Sequence, residues 1–160
     1  MAVDMFMKID DIKGESIDSK HKDEIEVLSW SWSMQQPGTS HSGAGGGAGK
    51  VKVEDLSFTK HTDLSTPNLK KLCCSGKHFQ KATLCVRKAG GEALDYIKLE
   101  LSDGLISSVS TGATKGDDRL TETITLNFAA FKYEYIPQDA KGVGGGAVPA
   151  QWNIAKNAEK

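Results

Sequence analysis

Apolar residues recur at every second position through most of this chain, and that period fixes the class of structure it can adopt. In residues 2–9, AVDMFMKI, Val3, Met5, Met7 and Ile9 share one parity against Asp4, Phe6 and Lys8. Such alternation puts one set of side chains on each face of an extended strand, with Phe6 on the minority face. The signature returns in residues 51–58 (VKVEDLSF), in 81–88 (KATLCVRK, with Ala82, Leu84 and Val86 inward) and in 94–102, where Ile97, Leu99 and Leu101 alternate. A helical period occurs over about residues 66–75. There Thr66 suits an N-cap, Pro67 the first helical position and Gly76 the stop, while Leu69, Leu72 and Cys73 make one apolar face. Seven or eight strands and one short flanking helix predict a mainly β fold, a barrel or sandwich partly closed by that helix.

The alternation breaks phase in two places. Ile25 and Val27 share a parity, but Leu28, Trp30, Trp32 and Met34 take the other. A one-residue slip turns a strand inside out, so a bulge or sharp bend is expected between Val27 and Leu28. In residues 120–136, Leu120, Ile124, Leu126 and Phe128 share one parity and Phe131, Tyr133 and Tyr135 the other, which places a second bulge at Ala129-Ala130. Asp103-Gly104 carries the strongest hairpin signal in the chain. Residues 89–93 (AGGEA) and 113–119 (ATKGDDR) read as turns.

Composition excludes several functions. Twenty Lys+Arg against 21 Asp+Glu leave a formal charge of -1, without the basic excess that phosphate backbones require, so no nucleic-acid partner is expected. No apolar run reaches the length of a membrane span, and Asp4 interrupts an N-terminus with no basic residues ahead of it, so neither membrane insertion nor a secretory leader is expected. The 17 glycines are concentrated: five of the seven residues from Gly43 to Gly49 are Gly and two are Ala. That segment has almost no apolar area to bury, so residues 38–50 read as a flexible loop in the isolated chain.

Catalytic motifs are missing. No G-x-S-x-G, phosphate-loop or H-E-x-x-H pattern occurs, and Lys50 is followed by Val51 where a phosphate loop needs Ser or Thr. His21, His41, His61 and His78 do not stand in metal-binding spacing; the nearest approach to a cysteine is Cys74 with His78. No metal, cofactor or enzymatic activity is expected. Cys73, Cys74 and Cys85 read as reduced thiols, Cys73 packing as a small hydrophobe. Trp30 and Trp32 share a parity with Leu28 and Met34, favouring core or subunit interface over a sugar-stacking platform. That platform, in a monomeric β-sandwich binding module, is the alternative function.

Larger stretches carry a resemblance. The opening AVDMFMKIDDIKGES, the central DLSFTKHTDLSTPNLKKLCCSGKHFQKATLCVRKAGG, the following LDYIKLELSDGLISSVS, and ETITLNFAAFKYEYIPQ with QWNIAKN resemble Hcp, the haemolysin-coregulated tube protein family of bacterial type VI secretion. FTKHTDLSTP before the helix and KAGG after the strand are the most specific pieces. Asn153 departs from the Asp that the family places after the Trp. The resemblance covers essentially residues 1–160 and implies a single small β-barrel domain of two antiparallel sheets. It further implies homohexameric rings that stack into a tube, with the sheath, the spike and small effectors as partners. The protein would be made in the cytoplasm and exported without a cleaved signal. On this view Thr39, Ser40, His41, Ser42, Gly43, Ala44, Gly45, Gly46, Gly47, Ala48 and Gly49 are the candidate ring-stacking loop. Short polar side chains at Ser107, Ser108 and Ser110 would suit a wet lumen wall.

Overall fold

The computed structural model describes residues 3–38, 41, 49–88, 94–138 and 144–160. Five elements precede the long strands: β1 (Val3–Ile9), β2 (Ile25–Glu26), β3 (Ser29–Ser31), β4 (Met34–Gln35) and β5 (Lys52–Val53). Then come β6 (Leu56–His61), α1 (Thr66–Ser75), β7 (Phe79–Lys88), β8 (Asp95–Thr111), β9 (Thr121–Tyr135) and β10 (Val148–Asn153). All pairings are antiparallel. The main sheet runs β2-β1-β7-β8-β9-β6-β3 with β10 added to β9, and β4 with β5 forms a second, two-stranded sheet.

The ends of the main sheet, β2 and β3, are consecutive in the chain, so the sheet curls back on itself as a half-barrel. The phase slip at Val27/Leu28 lies at this junction. Val27 donates its N–H to Met5 of β1 at 2.9 Å, and Leu28 donates to Thr59 of β6 at 2.8 Å. The expected bend is there, and its cause is a change of partner strand. What read as one strand from Ile25 to Met34 is therefore three short ones.

Asp103-Gly104 does not make a hairpin. β8 runs straight through it, pairing Ser102 with Ala130 and Gly104 with Phe128. Asp103 still takes the left-handed conformation the dipeptide favours, φ 50°. Here it turns the strand over: Leu99 and Leu101 are buried before it, Gly104 and Ile106 after it. Directly opposite, β9 changes buried parity between Phe128 and Phe131. No register shift occurs at Ala129-Ala130; the β8–β9 irregularity lies at Ile106/Ser108 instead. The two anomalies of sequence are one corner, where both strands reverse their inward faces together. β9 also exchanges neighbours there, pairing β6 through Leu126 and β10 from Ala130. Gly104 is required by space, since a Cβ there would lie 2.3 Å from the Asn127 carbonyl oxygen and 2.4 Å from the Phe79 ring.

Leu56, Phe58, Leu69, Leu84, Leu99, Leu101, Ile124 and Leu126 are fully buried in one core. α1 lies against β8 and delivers Leu69 to that core, with Leu72 and Cys73 partly buried beside it. Burying a leucine is worth about 1.5–3 kcal/mol, which exceeds what propensity gives a ten-residue helix. The helix ends at Gly76, φ 66°, as the sequence implies, but its N-cap is Ser65 and not Thr66. Thr66 is spent elsewhere. Its Oγ1 donates to Glu122 Oε1 at 2.8 Å and accepts from Lys60 Nζ and the Asp63 N–H, each at 3.1 Å. Lys60, fully buried, also donates to Asp63 Oδ1 at 2.9 Å and ion-pairs with Glu122 Oε2 at 3.5 Å. Asp63 in turn accepts from the backbone and hydroxyl of Ser65. The polar residues of FTKHTDLSTP thus lock the β6–α1 turn onto β9.

Candidate functional site

The solvent side of β3, β6, β9 and β8 is a continuous field of hydroxyls. It follows from the alternation: Phe58 and Lys60 point inward from β6, so Ser57 and Thr59 point outward, and Ile124 with Leu126 do the same for Thr123 and Thr125. Register then lines them up. Ser29 faces Thr59 and Ser31 faces Ser57. Ser57 faces Thr125 and Thr59 faces Thr123. Ser108 faces Thr125 and Ser110 faces Thr123. Ser29 Oγ lies 2.6 Å from Thr59 Oγ1, and Ser108 Oγ lies 2.7 Å from Thr125 Oγ1. Ser107, at the register shift, donates to Asp55 Oδ2 at 2.7 Å and lies 2.6 Å from Thr125 Oγ1. Asp55 accepts a further bond from Asn127 Nδ2 at 2.8 Å.

The three serines picked from SSVS therefore lie together in this hydroxyl field, of which the sequence reading singled out only a part. Ser29, Ser31, Ser57, Thr59, Thr123, Thr125, Asp55 and Asn127 were missed. The signal was present: the outward positions of β3, β6 and β9 are mostly Ser or Thr. Such a surface is wet and rich in exchangeable hydrogen bonds, with the Asp55 carboxylate as the acceptor at its Ser107 edge.

Of the predicted stacking loop, Thr39, Ser40, Ser42, Gly43, Ala44, Gly45, Gly46, Gly47 and Ala48 lie outside the described residues, as do residues 89–93. His41 and Gly49 are described, and His41 is exposed. The tryptophans do not make an exposed platform. Trp30 and Trp32 are half-buried and pack on the core; Trp32 donates Nε1–H to the Glu54 carbonyl at 3.0 Å and meets Phe131 edge-on. Cys74 is exposed, while His78 is bonded to Asp103 at 2.9 Å.

A second polar site lies on the non-core side of β1 and β7. Phe6, paired with Cys85, stays buried because the segment 10–24 folds over it. His21 stacks on Phe6 with ring centroids 4.4 Å apart, and the Arg87 guanidinium covers the same ring at 5.3 Å. Arg87 is clamped by Asp18 through both terminal nitrogens, with Nη1 at 3.0 Å, and also donates to Asp4 at 3.3 Å. The Arg87 hydrogen bonds hold the Asp18 carboxyl well below the usual carboxylate range. His21 Nδ1 lies 2.9 Å from Glu24 Oε2, and Nε2 lies 3.1 and 3.2 Å from the two Asp95 oxygens. Burial, reinforced by Asp95 and Glu24, pushes the Cys85 thiol up to about 12. On the neighbouring surface the Glu100 carboxyl sits below its ordinary value despite the upward push of burial, because Lys81 and Lys98 both bond to it.

The class defined by these features is a rolled antiparallel β protein with one hydroxyl-lined face. The chain matches the family described as type VI secretion system effector, Hcp, over residues 6–135. It belongs to the Hcp family, the secreted tube proteins of type VI secretion. Protein hcp1 of Pseudomonas aeruginosa is 60% identical over 161 residues, 99% of each chain. Among solved structures, Hcp1 from Salmonella typhimurium is 42% identical with a TM-score of 0.83, covering all of both chains. A further structure, of a type six secretion system protein, superposes with a TM-score of 0.93 at 33% identity, covering 99% of this chain and 100% of that one.

Proposed function

We propose that this chain is a structural tube subunit, not an enzyme. Six copies close a ring, rings stack into a tube within a contractile sheath under a spike, and small effectors travel in the lumen. The protein is made in the bacterial cytoplasm and leaves through the type VI system without a cleaved signal peptide. The observation that carries this reading is the hydroxyl field of β3, β6, β9 and β8. A curved, water-compatible wall with little fixed charge suits a channel that passes varied cargo. Family membership supports it, and heterologous edge-to-edge contact is the way a cyclic ring reuses one patch on every copy. We assign the Gly-rich segment 39–49 to a ring face, as the part of the proposal that concerns stacking.

Negative-stain micrographs test the assembly: six-fold rings with a central hole are expected, and a strictly monomeric solution at high concentration overturns it. Placement of the wall is tested separately. Ser110→Cys in a Cys74→Ser background, labelled with a gold-maleimide cluster, should put density on the inner rim. Density on the outer rim would overturn the lumen assignment while leaving the ring intact.

A further inference from the structure

Three elements converge beside Phe6: His21 from the covering segment, Cys85 from β7 and Asp95 from the start of β8. Their ligand atoms all lie within 4.8 Å of one another. His21 and Cys85 are 6% and 7% exposed, while the Asp95 side chain, 33% exposed, opens onto a groove of about 380 Å³. We propose that this cluster binds a single zinc-class divalent ion through His21 Nε2, Cys85 Sγ and one Asp95 oxygen, with the fourth position open to the groove.

The donor set is what selects the metal. One nitrogen, one sulfur and one oxygen suit a borderline-soft tetrahedral ion; hard cations such as Ca²⁺ or Mg²⁺ demand an all-oxygen shell. Glu24 supplies the supporting contact that metal-bound histidines need. Its carboxylate takes the Nδ1–H at 2.9 Å, which fixes the tautomer and turns the Nε2 lone pair toward Asp95 and Cys85. The ring cannot swing away, being stacked on Phe6 at an interplanar angle of 11°. The groove does not repel a cation, since its four lysines are matched by four carboxylates. On binding, the S–H bond of Cys85 is replaced by an S–metal bond and the thiol proton leaves to solvent, so affinity rises with pH. The bound ion staples the 10–24 segment to β7 and β8. Spacing along the sequence gives no hint of the site, because its ligands come from three separate elements.

The test uses the full chain, stripped with a chelator and titrated with Zn²⁺ or Co²⁺. One equivalent of Co²⁺ should give the intense near-ultraviolet band of thiolate coordination, and Zn²⁺ should raise the melting temperature and displace the Co²⁺ spectrum. Cys85→Ser should abolish the band, Asp95→Asn should weaken binding at least tenfold, and Cys73→Ser/Cys74→Ser should keep both band and affinity. Melting of each variant without metal verifies folding, and Asp95→Asn provides a variant outside the core. Absence of a stoichiometric band, or a band that survives Cys85→Ser or is lost in Cys73→Ser/Cys74→Ser, overturns the proposal.

Discussion

Two buried charges decide how single residues behave here. Lys60 is fully enclosed and Glu122 nearly so, and neither can be left alone. Lys60→Ala strands the Glu122 carboxylate and should cost about 3–5 kcal/mol in urea unfolding. Adding Glu122→Gln should recover part of that loss, because the stranded charge is removed with it. Asp18 behaves differently. Its folded carboxyl titrates below its ordinary value of 3.8, so its pairing with Arg87 stabilises at and above about pH 4 and is lost as pH falls below that. Asp18→Asn should therefore flatten the acid limb of a melting-temperature profile below pH 4 while lowering stability at neutral pH. FTKHTDLSTP stood out in the sequence as specific, yet nothing local showed why. Its partner Glu122 lies 56 residues beyond Thr66, and only the fold joins them. Asn153, the residue departing from the family pattern, accepts the Lys156 N–H at 2.9 Å, a contact that an amide oxygen makes as well as a carboxylate.

At the scale of elements, the corner formed by Asp103-Gly104 and Ala129-Ala130 governs the shape of the sheet. Gly104→Ala should destabilise by about 1–3 kcal/mol, since the new methyl meets backbone on one side and the Phe79 ring on the other. Gly112→Ala has open space and should change thermal stability by less than about 0.5 kcal/mol. β1, β7 and α1 were legible from period alone to within about two residues, whereas residues 51–58, which read as one strand, are divided between β5 and β6 in different sheets. What was not legible was the use of each fault. A phase slip shows that a strand turns over; it does not say whether a bulge, a change of partner or a left-handed residue does the turning. Val27/Leu28 proved to be a change of partner and Asp103 a left-handed residue. The hydroxyl field was half-visible for the same reason: Ser107, Ser108 and Ser110 drew notice as a run, whereas Thr123 and Thr125 gain meaning only from the register that lays them alongside.

For the whole molecule, near-neutral charge suits the proposed assembly, in which each chain packs against copies of itself. Deleting residues 43–49 should leave single rings intact in micrographs and change the length distribution of stacked tubes; loss of the ring itself would refute the placement of that loop at a ring face. The order of strands in the main sheet also dictates a schedule. β8 and β9 are joined by residues 112–120 alone and zip along thirteen register pairs, a local and early event. β1 is made before the other described strands, yet Met5 must wait for Val86 and Met7 for Leu84 before that edge is covered. Until then the N-terminal strand and its methionines are exposed to whatever is near, including a nascent neighbour. Pulse-labelled hydrogen exchange should find β8–β9 amides protected first and β1 amides late. The strand made earliest is the one on which the finished barrel waits longest, and the interval between the two is when a chaperone has most to gain by holding it.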